Sequence, residues 1–214
     1  MSIHILTSLF AEGFPSDFGN QLRKLIYNKN KFVFVASEFE KNHEKTDEYF
    51  SEILDMFEKS SIHFQDTYVI DSRISMEEAQ SLIMEEDVLW LSGGDTPVQY
   101  QYFISYGLVP AIRNCRGIVI GMSAGAINMA KTAVCTLSCG HSQQLVYDAL
   151  GLADISVETY FDKNHISKEL LELSQKYPIY GICDNSAIIC MDDKMSFLGK
   201  IFLIDKGKVT EKKN

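Results

Sequence analysis

Positive charge is scarce in this chain. Twenty Lys and Arg side chains stand against 29 Asp and Glu, a formal net charge of −9. A nucleic-acid partner needs a concentrated basic face to meet phosphate, so that class of ligand is excluded. The mixed-sign stretch from Glu38 to Glu48 reads as a solvated helix face. Long apolar runs are also missing: none reaches the roughly 18–20 residues that a membrane helix needs. The opening MSIHILTSLF lacks the basic stretch and small-residue cleavage site of a secretory signal, and reads as a first strand. The cysteines, Cys115, Cys135, Cys139, Cys183 and Cys190, are odd in number and sit mostly among apolar neighbours. No second ligand pair accompanies Cys135 and Cys139, which argues against zinc, and reduced thiols in the cytoplasm are the expectation. No metal and no cofactor is expected.

Apolar residues make up 46% of the chain and aromatics 11%, enough for a sizeable core. With no Ser/Gly linker, low-complexity tract or internal repeat, residues 1–214 are expected to form a single domain, monomeric or homodimeric. Short β-rich runs alternate with longer amphipathic stretches. HILTSLF and KFVFVAS read as strands, and so do TYVID and VLWLSGG. Between them lie a helix capped by Ser16 and carrying Phe18, Leu22, Leu25 and Ile26, a long helix from Glu38 to Lys59, and one around Met76 to Glu85. A further helix spans about Thr96 to Tyr106 and stops at Gly107. Parallel strands need crossover connections, so this beat predicts an α/β fold: a three-layer, mostly parallel twisted sheet with helices on both faces. The last third, with ISVETYF, IYGIC, AIICMD and FLGKIFLIDKGKVTE, predicts short strands in an antiparallel or mixed C-terminal edge.

The chemistry is announced by GIVIGMSAGA, residues 117–126. GMSAG fits G-x-S-x-G, the elbow that presents a serine on a sharp turn between a strand and a helix. Gly121 and Gly125 are required there because Cβ atoms two residues either side of Ser123 would collide in so tight a bend. The helix start sets backbone N–H groups, that of Ala124 among them, beside the serine oxygen, where a tetrahedral oxyanion would form. A second glycine motif, LSGGDTP, also follows an apolar strand and opens a helix. Strand ends of a doubly wound sheet gather on one edge, where ligands bind. Gly93 and Gly94 there can approach a substrate and donate to an oxyanion, while Asp95 and Thr96 either cap the helix or bind substrate. No Gly-Lys-Ser/Thr run follows, so phosphate cradling is disfavoured.

GGDTPVQYQYFISYGLVPAIR followed by GIVIGMSAGAINMA resembles the peptidase E family of serine peptidases, the aspartyl dipeptidases related to cyanophycinase. LGLADISVETYFD and PIYGICDNSAIIC extend the likeness over nearly the whole chain. The resemblance implies a fold like class I glutamine amidotransferase domains, flavodoxin-like, with serine on the elbow. It implies hydrolysis of small peptides, after an N-terminal aspartate, through an acyl-enzyme. Ser123 takes the nucleophile's place, Gly93 or Gly94 the oxyanion glycine's, and Asp95 and Thr96 the substrate-contacting pair's.

The pattern then breaks. The family's histidine falls on Tyr160 and its aspartate near Ser138. Since a serine needs a base, His165 is the first candidate, His141 its rival, and Tyr160 itself is kept as a further candidate. Glu158, Asp162 and Asp184 remain for the acid. The family's substrate-binding cation has its nearest analogue in Lys163, with Arg113 and Arg116 elsewhere, and lysine lacks the bidentate fork of arginine. These departures carry the alternative of an impaired relative that binds a small ligand or partner. A lipase of the α/β-hydrolase type is disfavoured, because it needs a later histidine and none follows His165.

Overall fold

The structure is a computed structural model that describes residues 3–192 and 194–214. The chain runs β1 (Ile3–Thr7), α1 (Ser16–Leu25), β2 (Lys31–Val35), α2 (His43–Lys59), β3 (Asp66–Ile70), α3 (Met76–Met84) and β4 (Val88–Leu91). It continues through α4 (Thr96–Ser105), α5 (Leu108–Asn114), β5 (Ile118–Met122), α6 (Ala124–Met129), β6 (Thr132–Cys135), β7 (Leu145–Asp148) and β8 (Ser156–Thr159). The remainder is α7 (Lys168–Leu173), β9 (Ile179–Ile182), β10 (Ala187–Met191), β11 (Lys194–Leu198), β12 (Ile201–Asp205) and β13 (Lys208–Lys212).

Seven strands form the main sheet in the order β11-β10-β1-β5-β4-β2-β3, with β1 to β5 all parallel and β10 and β11 antiparallel at one edge. Strand alternation builds both cores. In KFVFV, Phe32 and Phe34 turn to the face covered by α1 and α2, where Phe18, Leu22, Ile53 and Phe57 are buried. Val33 and Val35 turn to the other face, against Ala79, Ile83 and Phe103 of α3 and α4. Apolar residues on both sides are what a parallel strand between two helix layers requires.

Several local expectations are corrected. Ser16 starts α1 without capping it: Pro15 holds the N-cap position, and Asp17 accepts the Phe18 amide at 2.8 Å. The long second helix begins only at His43, because Asn42 turns into the left-handed region at φ 58°. The final strands do not all join the main sheet. A separate four-stranded sheet takes the order β13-β12-β9-β8, with β8 parallel to β9 and the other pairs antiparallel. No described helix is long and apolar enough to cross a membrane.

One buried carboxyl predicts a pH effect. Glu86, 6% exposed, accepts the Gly117 amide at 3.2 Å, yet its second oxygen has no partner among the described residues. Burial pushes its pKa up to about 7. Below the unfolded value both states hold the proton and stability is unaffected. As pH climbs from there through 7, the unfolded chain releases the proton first and stability falls, by about 3 kcal/mol in all. Glu86→Gln is therefore expected to stabilise the protein at pH 8 and scarcely at pH 4. Urea denaturation at both values checks this, and a difference independent of pH would refute it.

Candidate active site

The parallel strands end level with one another. Thr7 pairs with Met122, Val35 with Leu91, and Leu91 with Gly121, so the loops after β1, β2, β4 and β5 share one edge. A cleft of about 980 Å³ opens there, with Ser123, Gly93, Gly94, Thr96, Glu158 and Tyr160 in its walls.

Ser123 sits on the bend between β5 and α6 at φ 54° and ψ −112°. A side chain is held in that sparsely populated region only when its surroundings over-determine it. Here they do. The Ser123 amide donates to the Thr7 carbonyl at 3.0 Å, and its carbonyl accepts from Ile127 at 3.0 Å. The flanking glycines are required as the bend predicts: a Cβ on Gly121 would lie 2.6 Å from the Gly125 carbonyl carbon, and one on Gly125 would strike the Leu91 carbonyl group. Ser123 Oγ caps no amide.

The second glycine loop lies against the serine. A Cβ on Gly93 would come within 3.3 Å of Ser123 Cβ, and one on Gly94 would run into Ser37. The amides of Gly93, Gly94 and Ala124 have no acceptor among the described residues, whereas that of Gly125 donates to Ser92 O at 3.1 Å. Asp95 caps α4, accepting the Val98 amide at 3.1 Å. Thr96 is almost wholly buried.

A buried polar strut that the sequence did not disclose locks the two glycine motifs together. Asn128 Nδ2 donates to Thr96 O at 2.9 Å and to Gln99 Oε1 at 3.0 Å, and Gln99 Nε2 donates to Ser92 O at 2.8 Å. Tyr147 OH closes the network on Asn128 Oδ1 at 2.8 Å. Thr96 and Gln99 share α4, but Ser92 comes from the loop after β4, Asn128 from α6 and Tyr147 from β7, so no local motif marks the set.

The remaining candidates separate. His165 stands on an exposed turn after β8, its Nδ1 2.6 Å from Asp162 Oδ2, and neither residue lines the cleft. The pair is fixed by its i,i+3 spacing in the turn, and it holds the Asp162 carboxyl below the usual carboxylate range. His141 lies 3.5 Å from Asp95 of the glycine loop, and no histidine occurs among the described cleft residues. Lys163 is exposed on the same turn as His165. Arg113 bonds the carbonyls of Leu150 and Ala149, and Arg116 precedes β5 at the opposite sheet edge. Asp184 accepts Ser8 Oγ–H at 2.8 Å, and Ser8 Oγ in turn accepts the Tyr160 amide at 2.8 Å. That clamp holds Tyr160 at φ 56° in the cleft wall.

Glu158 is the buried carboxyl of the cleft. One oxygen accepts Ser138 Oγ–H at 2.6 Å and Thr136 Oγ1–H at 2.9 Å, while the other has no partner among the described residues. Burial pushes its pKa up, opposed by those two hydroxyls. Ser138 thus holds a carboxyl although it does not supply one. No group of three or more His, Cys, Asp or Glu placed to hold a metal occurs among the described residues.

Residues 12–198 match the family model of peptidase family S51. No curated protein matches the chain. Among solved structures, a peptidase from an acI-B1 Actinobacterium aligns with 100% of this chain and 94% of its own, at a TM-score of 0.72 and 14% identity. A putative peptidase E protein from Listeria monocytogenes EGD-e aligns with 92% of this chain and 98% of its own, at a TM-score of 0.66 and 19% identity. At such identities the likeness is one of fold.

Proposed function

This chain belongs to peptidase family S51, a family of serine peptidases, and from that premise we propose that it hydrolyses small peptides through an acyl-enzyme on Ser123. The observation that carries the reading is the strained serine at the head of α6, facing a cleft, with three nearby amides that have no acceptor among the described residues. Ser123 Oγ attacks the scissile carbonyl, and the amides of Ala124 and of Gly93 or Gly94 receive the developing oxyanion. The amine leaves, and water then hydrolyses the ester.

Glu158 is the proton acceptor in this reading. It shares the cleft wall with Ser123, and burial moves its pKa toward the pH at which it would work. His165 is less suited, because its ring stands in solvent on the Asp162 turn. An aspartate-specific cleft is not part of the proposal, since Lys163 lies outside the walls.

A fluorophosphonate probe tests the nucleophile: the adduct is expected on Ser123, and an unlabelled protein would leave only the binding-protein alternative. The base is tested with a peptide that the enzyme turns over. Glu158→Gln is expected to lower kcat by about 10²–10⁴ and His165→Ala by less than about twofold. Because the base must be ionised, wild-type activity should rise with pH through the elevated Glu158 pKa, and the Gln variant should lose that limb. The opposite ranking of the two variants would move the role to His165.

A further inference from the structure

The cleft is far longer than a dipeptide. From Ser123 it runs along the whole of α2, whose Lys45, Tyr49, Glu52, Met56 and Lys59 line it at helical spacing, and the loop Leu9–Gly13 faces them. A helix of 17 residues is about 25 Å long. An extended peptide covers that distance with about seven residues, where a dipeptide needs roughly 7 Å. The wall is firmly set: Arg73 holds Asp47 of α2 through bonds of 2.9 and 2.6 Å while also gripping the fully buried Asp71. Toward the core the helix buries Phe57 and Ile53, the latter also part of the groove floor, while Tyr49 is left 43% exposed in the groove.

The groove also has a charge preference. Lys59 is taken by Asp55 at 2.6 Å, and the Lys45 ammonium lies 5.5 Å above the Tyr49 ring. Glu12, Glu38 and Glu52 line the same channel and form no ion pair among the described residues. Glu38 instead accepts Tyr102 OH at 2.6 Å, which holds a carboxylate oriented at the loop after β2. At the serine end, Ser92 Oγ and one Glu158 oxygen are more than nine-tenths buried in the wall without a partner among the described residues, and both are suited to a polar ligand group.

We infer that the substrate is a cationic oligopeptide of about six or seven residues, lying extended along α2 with its scissile bond at Ser123. This rests on the peptidase reading of the same site, and the test is built so that the two can fail separately. Binding is measured by calorimetry on the full chain carrying Ser123→Ala, with three synthetic ligands: a heptapeptide containing two lysines, the same heptapeptide with glutamates in their place, and a dipeptide from the same sequence. The lysine heptapeptide is expected to bind at least tenfold more tightly than either of the others. In the same background Glu52→Gln with Tyr49→Ala should weaken the heptapeptide by fivefold or more and leave the dipeptide unchanged. Equal affinity for heptapeptide and dipeptide, or for the lysine and glutamate forms, would overturn the inference. Tight heptapeptide binding by a wild-type protein that cleaves nothing would instead sink the hydrolase reading and leave the groove assignment standing.

Discussion

Ser123→Ala is expected to reduce kcat/KM for any cleaved peptide by about 10⁴-fold or more. Removing a nucleophile leaves only the contribution of the oxyanion site and of binding, and that residue of catalysis is small. The geometry gives the loss a second signature. Ser123 is held at φ 54°, where any Cβ is strained at about 1–3 kcal/mol. Alanine keeps the Cβ, so Ser123→Ala should leave thermal stability nearly unchanged, whereas Ser123→Gly should abolish turnover and raise Tm by several degrees. Initial-rate kinetics and a melting curve on the three proteins decide the matter. Retention of more than about a tenth of the activity in either variant would remove Ser123 from the chemistry.

The largest loss of stability is expected from Gly125→Ala. The new Cβ would meet the Leu91 carbonyl group of the neighbouring central strand, which cannot yield without breaking the β4–β5 pairing. Overpacking against fixed backbone costs about 3 kcal/mol or more, a large share of the roughly 5–15 kcal/mol that holds an ordinary folded protein together. Gly121→Ala should behave similarly, since its Cβ would sit 2.7 Å from the Ala126 amide nitrogen. Soluble yield and urea midpoints check both. A Gly125→Ala protein with wild-type stability would mean that the elbow is looser than the structure has it.

The layers of the fold were legible because burial leaves a period in the sequence. KFVFV and VLWL could be read as two-sided strands, and the helices around Phe18 and Ile53 by their spacing. The elbow was legible for a similar reason, its glycines being demanded by backbone collisions within a few residues. Boundaries decided by single residues were not: Asn42 delays α2 to His43 by a left-handed turn. The second sheet was hidden because short apolar strands such as IYGI and IFLID carry no mark of which neighbour they will pair with.

Sequence alone determined the family, the layered fold, and the serine with its two glycine motifs, since each depends on local sterics or on a pattern of burial within one stretch of chain. Tertiary structure alone decided what surrounds that serine. It left His165 on a solvent-facing turn, made Asp184 a clamp for Tyr160, and gave Ser138 a carboxyl to hold by setting Glu158 beside it. Those outcomes depend on residues far apart in sequence meeting at one sheet edge, where burial and partner choice, not residue type, fix what a side chain can do.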